Sequence, residues 1–384
     1  MTARNLRWIG GGLLLAAICG TAAQGQTLGQ GSGPWVLEKS GTTAGLRGIH
    51  AVGGGVAWAS GTDGTVLRTE DGGYEWQSCA LPPGADKLDF RGVWAWDADT
   101  AVVMSSGPGD ASRLYKTTDG CSSWKLLFTN PDKDGFWDAV QFWNRSEGEI
   151  LGDPVETEAS EFSIVSDTDP PAPKEMRKAT RFATFSTWNG GKTWQRSMNG
   201  FLDSDPKRSA AFAASNSSLF RFDGYGWIGI GGKDGSFVYQ GQNATDLDLS
   251  DGLDWKKVAV PITAGTESSG VFSVAFRNPR QGTSVGGDYA KPNESAGTAA
   301  WSADGGRTWA AAAKPPHGYR SAVAWDAEAK AWIAVGTNGS DVSYDDGKTW
   351  EPLDNGEWNA LSLPWVVGPK GRIAKLDRGK LRRK

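Results

Sequence analysis

The sequence predicts an all-β chain folded as a seven-bladed β-propeller with four-stranded antiparallel blades, closed by N- and C-terminal strands in one blade. Three observations predict it. First, a short motif recurs as RTEDGGYEW (68–76), KTTDGCSSW (116–124), STWNGGKTW (186–194), WSADGGRTW (301–309) and SYDDGKTW (343–350), with a decayed copy, LSDGLDW, ending at Trp255. Its closing tryptophans stand 41 to 70 residues apart, the spacing of a supersecondary repeat. Second, the intervals between copies hold short runs rich in β-branched and aromatic residues with no helical periodicity, so each repeat reads as four strands. Third, each terminus holds a strand-like remnant, PWVLE at 34–38 and WNALSLPWVVGPKGRIAKL from Trp358. Joined in one sheet, the two remnants complete a seventh blade and remove the open edges that a terminal blade would expose.

From the start of the chain, Arg4 and Arg7 precede an apolar run from Trp8 to Cys19 and then Thr21-Ala22-Ala23. That layout is a secretory signal peptide over residues 1–23, and the run is too short for a bilayer span. The mature protein is therefore expected to be exported, to the periplasm or beyond the cell. Residues 24–376 are assigned to a single propeller, with an insertion at about 154–181 in blade 3, and 377–384 to a basic tail. Without residues 1–23 the net charge is -6; residues 24–369 carry -13, because eight basic residues crowd the chain from Lys370 on. No basic stripe marks the body, which argues against nucleic acid as a partner. The tail suits peripheral contact with an anionic membrane or a solvated end.

Cys79 and Cys121 fall in adjacent repeats and are a disulfide candidate for an exported protein. With His50 and His317 the only histidines, no zinc ligand set can be assembled, and no metal or other cofactor is expected. Within each repeat motif the Ser or Thr and the Asp or Asn tie down a Gly-rich turn, and the Trp opens the next strand as a wedge between sheets. The pairs Asp71 and Trp76, Asp119 and Trp124, Asn189 and Trp194, Asp304 and Trp309, and Asp345 and Trp350 are accordingly read as structural.

The chemistry is expected in the channel, which the innermost strand of each blade lines. Those strands read LRGIHAV, FRGVWAW, FWDAVQF, SAAFAAS, VFSVAF, YRSAVAW and WNALSLP. At or near their starts stand Arg47, Arg91, Asp138, Arg208, Arg320 and Asn359. Four guanidinium groups at one mouth would attract a carboxylate or phosphate. The Gly-rich connections supply Asp63, Asp110, Asp153, Asp234 and Asp288, with Lys233 and Tyr289 beside them. Two readings follow: the opposite charges pair and hold the channel together, or they face a ligand. An enzymatic alternative is a glycosidase using Tyr289 with Asp288, and Glu267 or Asp138 as partner acid. No GxSxG elbow, P-loop or dinucleotide fingerprint is present.

The repeated box, [ST]-x-[DN]-x-G-x-[TS]-W, resembles the Asp-box of the sialidase-like repeat propellers. The longer context, LRGIH with GTDGTVLRTEDGGYEW and PWVLE, resembles the photosystem II stability/assembly factor family and its non-photosynthetic bacterial relatives. That resemblance implies a seven-bladed, non-enzymatic propeller whose arginine-lined surface binds an assembling membrane protein, and Arg47 and Arg91 match that basic patch most nearly. Sialidases carry F/Y-R-I-P before their first box; LRGI and FRGV here lack the Pro. The sequence is therefore read as an exported, monomeric binding module with a protein partner or anionic ligand at the channel face, contacted by Arg47, Arg91 and Arg320. The alternative reading is a sialidase-like glycoside hydrolase.

Overall fold

The computed structural model describes residues 33–158, 178–197, 202, 204–242 and 254–381. The expected leader, the centre of the blade 3 insertion and the turn of the decayed repeat lie outside the described residues. Among the described residues the strands form seven four-stranded antiparallel units; the fourth and fifth share one sheet through a single bridge between Gly231 and Gly270. Their innermost strands are Leu46–Gly53, Phe90–Ala95, Trp137–Phe142, Leu219–Phe222, Ser269–Phe276, Ala322–Asp326 and Ala360–Ser362. Each lies against the next, and the last lies against the first, so the ring closes.

Closure runs through the termini, as the remnants predicted. Trp35–Glu38 pairs antiparallel with Ile373–Leu376, Trp35 standing opposite Leu376. Glu38 then ties the seventh blade to the first: its Oε2 accepts from Trp76 Nε1 at 2.8 Å and from Trp365 Nε1 at 3.2 Å. The insertion in blade 3 begins and ends as sheet, because Gly148–Glu158 pairs with Lys178–Thr187 out to Glu158 opposite Lys178.

Most of the core lies between blades. One cluster joins Trp58 of the first blade to Phe90 and Tyr115 of the second. Another joins Trp332 and Trp350 of the sixth blade to Val285 and Ala299 of the fifth. An isolated sheet leaves one face bare, and here each face is covered by its neighbour, so burial accumulates around the ring.

All five Asp-boxes adopt one geometry. In the last, Ser343 Oγ donates to Asp345 Oδ1 at 2.9 Å and accepts from Gly347 N, while Asp345 Oδ1 accepts from Thr349 N at 2.9 Å. The same bonds recur around Thr69 and Asp71, Thr117 and Asp119, Thr187 and Asn189, and Ser302 and Asp304. The third turn residue takes a positive φ, 81° at Gly347 but also 64° at Cys121, which explains why Gly occupies that position elsewhere. Trp76, Trp124 and Trp350 are buried, and Trp194 and Trp309 partly so.

The carboxylates of Asp71, Asp119 and Asp345 are exposed acceptors, and that of Asp304 is partly buried. The Ser123 hydroxyl, then the Ser123 N–H and the Thr117 hydroxyl, pull the Asp119 carboxyl down to about 2. At Asp345 burial works upward but is outweighed by the Thr349 hydroxyl and N–H and the Ser343 hydroxyl, so its pKa too is lowered. A lowered folded-state pKa contributes stability above the ordinary Asp value that is lost as pH falls through the folded value. Thermal melts should therefore show the midpoint dropping below about pH 4 and still dropping near pH 2, with Asp119→Asn dropping less. A midpoint flat across that window would contradict the box geometry. Because the Thr349 N–H is exposed rather than buried, Asp345→Ala should cost only about 0.5–1.5 kcal/mol.

Two expectations need correction. The fourth inner strand is Leu219–Phe222, not SAAFAAS; only Ser209–Ala210 of that stretch is strand, pairing with Gly231 and Gly232. The basic tail is not separate up to Leu381: Arg378 Nε reaches Asp326 Oδ2 at 2.8 Å and Leu381 is buried in the core between the sixth and seventh blades.

Candidate functional site

The inner strands of blades 1, 2, 3 and 5 share a register break at one level. It falls between Leu46 and Gly48, Phe90 and Gly92, Trp137 and Ala139, and Val271 and Ser273. The skipped residues are Arg47, Arg91, Asp138 and Phe272. A bulge re-aims one side chain without shifting the rest of the strand, and all four of these line one cleft at the channel mouth. Glycine follows both arginines for lack of room. A Cβ on Gly48 would lie 3.0 Å from the Arg91 carbonyl oxygen, and one on Gly92 would lie 3.0 Å from Asn216 Oδ1.

The channel is crossed below this level by the chain that the sequence assigned to a strand. Asn216 Oδ1 accepts from Val140 N at 2.7 Å, and its Nδ2 donates to Val140 O at 2.9 Å. Ser215 Oγ donates to Ser321 O at 2.7 Å, and Ser217 Oγ to Ser273 Oγ at 2.8 Å. One crossing segment is thereby fastened to the third, fifth and sixth blades. It turns an open channel into a cleft of about 460 Å³ floored by Ala210–Ala214.

The walls are aromatic and charged. Phe212 stacks on Phe272 at 3.8 Å, Tyr319 meets Phe272 edge-on at 4.8 Å, and Tyr289, 53% exposed, stands edge-on at 6.1 Å. Arg47 and Arg91 share one carboxylate, Asp89, at 3.6 and 2.9 Å. Arg91 also donates to Ala213 O at 3.4 Å and lies over the Phe136 ring. Two guanidinium groups against one carboxylate leave a net positive charge fixed at the mouth.

On the neighbouring blade, within reach of the Arg91 charge, are two carboxyls. Asp138 is 1% exposed, its Oδ2 has no hydrogen-bond partner, and the Ala213 backbone bonds to the side chain. Asp153 Oδ1 accepts from Ala211 N at 3.0 Å. Burial, and then the Asp153 carboxylate, raise the Asp138 carboxyl well above its ordinary range against the opposing pull of Arg91. Burial likewise pushes Asp153 up to about 7. Close to neutral pH the two carboxyls together therefore retain a proton.

Of the residues singled out in the sequence, Arg47, Arg91, Asp138, Asp153 and Tyr289 meet in the cleft, with Glu267 and Asn359 on its rim. Others do not. Arg320 is fully buried. Its N–H bonds to Gly286 O as Leu46 N–H bonds to Gly368 O and Trp358 N–H to Gly336 O, so Arg320 occupies the inward core position of Leu46 and Trp358. Ser321 is the counterpart of Arg47, and a one-residue offset turns the side chain to the other face. Arg208 pairs with Asp234 at 2.5 Å outside the cleft, and Asp110 sits 3.8 Å from Arg113. Asp288 caps its own turn, accepting from Ala290 N at 3.0 Å, and does not line the cleft beside Tyr289. Cys79 and Cys121 are disulfide-bonded, with Cα atoms 5.2 Å apart.

Sequence reasoning missed Asp89, Phe272 and the crossing segment. Asp89 had a signal, an acid two residues before Arg91 in LDFRG; Asn216 in a Ser-rich loop had none.

No family model and no curated protein matches the chain. Among solved structures, it is similar to YCF48 bound to D1 peptide, with TM-score 0.56 and 15% identity over 89% of this chain and 96% of that one. It is also similar to the WD40 β-propeller domain of Doa1, with TM-score 0.53 and 10% identity over 91% of this chain and 100% of that one. By architecture and by these neighbours the chain is a β-propeller resembling YCF48.

Proposed function

We propose that this propeller is an exported, non-enzymatic binding module that recognises a protein partner at the channel cleft. One observation carries the reading: Arg91 is hydrogen-bonded to Asp89 and Arg47 stands 3.6 Å from the same carboxylate, so that two guanidinium groups answered by one carboxylate face an aromatic-walled, floored cleft. Fixed guanidinium groups beside aromatic rings are the residue types that anchor protein interfaces. YCF48, similar in fold, was solved with a peptide bound, which is in keeping with the reading. The leader-like layout of residues 1–23, two Arg then an apolar run then small residues, and the disulfide support an oxidising, extracytoplasmic setting.

The reading predicts that Arg47→Ala combined with Arg91→Ala weakens capture of the partner from an envelope extract by about 30-fold or more, while melting within a few degrees of the parent. Undiminished capture by a folded double variant would overturn it. The glycosidase alternative has one observation in its favour, the proton-sharing Asp138 and Asp153 pair. Turnover of aryl glycosides that disappears in Asp153→Asn would establish that alternative instead.

A further inference from the structure

We propose that Asp138 and Asp153 form a cation-accepting subsite in the cleft, and that it takes an ammonium or guanidinium group presented by a Lys or Arg side chain of the bound partner. The proposal rests on the cleft being the partner-binding face.

Asp138 is placed for this by the bulge in its strand, which aims a side chain that is only 1% exposed into the cleft. Its Oδ2 lacks any donor. A buried carboxyl oxygen without a hydrogen-bond partner is uncommon and costly, and a ligand that supplies one relieves it. Asp153 comes from the adjoining strand, also at a register break, between Gly152 and Pro154, and its Oδ1 is engaged only by Ala211 N.

Most of the protein's own donors around the cleft are engaged elsewhere, and Arg47, whose Nε has no hydrogen-bond partner, stands 3.6 Å from Asp89. Arg47 and Arg91 are drawn to Asp89, and Arg91 to Ala213 O. Lys233 is tied to Glu267, Asn359 Nδ2 donates to Leu46 O, and Ser321 Oγ donates to Asn359 O. Tyr289 and Tyr319 line the opposite wall. None of these bonds reaches Asp138 Oδ2, so a donor carried by a ligand can meet it, and a cation with several N–H groups can serve both carboxyls at once. The flanking arginines repel a segment that carries only cations. They favour one in which a basic side chain stands near an acidic one, the acid facing Arg47 and Arg91 and the base facing Asp138 and Asp153.

Proton linkage supplies a signature. The pair holds a proton near neutral pH, and an entering cation displaces it. Affinity for a cationic group should therefore fall, by up to about tenfold per unit, as pH drops through the range in which the carboxyls take up protons, which for Asp153 lies at about 7.

The test uses the mature full chain and two probes of equal shape, Nα-acetyl-lysine methylamide and Nα-acetyl-norleucine methylamide, followed by carboxyl carbon NMR across pH. The lysine probe should shift the two Asp resonances and move their titration to lower pH, while the norleucine probe does neither. Asp138→Asn should bind the lysine probe about tenfold or more weakly. It should also melt no lower than the parent at pH 7, because it removes a carboxyl that burial and its neighbour disfavour, so weak binding is not unfolding. Equal responses to the two probes, or parental affinity in Asp138→Asn, would overturn the proposal. If the lysine probe binds as stated and no protein partner is captured through Arg47 and Arg91, the subsite stands and the partner reading falls. If capture depends on the arginines and neither probe shifts the Asp resonances, the partner reading stands and the subsite falls.

Discussion

Asp341→Ala is expected to lower the unfolding free energy by about 3–5 kcal/mol, more than any other single substitution considered. Arg320 and Asp341 are both fully buried, and the guanidinium is committed on every side. Its Nε donates to Asp341 Oδ2 at 2.6 Å, a second nitrogen donates to the same carboxylate, and a third donates to Tyr319 O and to Asn338 Oδ1 at 2.6 Å. Asp341 Oδ1 also meets His317 Nδ1 at 2.9 Å. Removing the carboxylate leaves an uncompensated charge with no route to water. Chemical denaturation measures the loss. Replacing both partners together, Arg320→Met with Asp341→Leu, should recover most of it, since no charge then remains buried. A single-variant loss under about 1 kcal/mol would show that Arg320 can turn outward, and would restore it as a channel contact.

Cys79→Ser is expected to cost about 2–4 kcal/mol, the range for a cross-link closing a loop of this length. The two cysteines lie 42 residues apart and join the outer edge of the first blade to the box turn of the second. That joint is reinforced by Ala80 N donating to Cys121 O at 3.1 Å and Trp124 Nε1 donating to Ala80 O at 2.8 Å. Cys121→Gly should cost less than Cys79→Ser by about 1 kcal/mol, because position 121 holds a φ of 64° that glycine adopts freely. Melting of the two variants, each compared with the parent under reducing and oxidising conditions, checks both the size and the order.

Much of this fold was readable from residues alone, because its signals are local and repeated. The turn pair of Asp or Asn with Gly, the hydroxyl two residues before it and the closing Trp all act within nine residues, and the structure reproduces their bonds in all five full copies. Closure through PWVLE was also legible, since an unpaired strand at each end leaves one economical solution. The site was legible only in part. Arg47, Arg91 and Asp138 could be placed at one level because each begins an inner strand. Whether a side chain one residue along faces the channel or the core depends on bulges that no spacing reveals, which is why Arg320 was misplaced. The stretch SAAFAAS, which leads into Asn216, was read as a strand for its small and aromatic residues. Its actual path is set by hydrogen bonds to Val140, Ser273 and Ser321, partners distant in sequence.

The account separates a scaffold of boxes on the periphery from a recognition site at the channel mouth. Photo-crosslinking tests that separation most directly. A benzophenone side chain replaces Thr337, exposed on the cleft rim, or Tyr74, 94% exposed in the first box, and each variant is irradiated in an envelope extract from the host. The account predicts a discrete protein adduct from position 337 that disappears when Arg47 and Arg91 are both alanine, and none from position 74. An adduct from position 74 that survives the double alanine change, with none from 337, would contradict it.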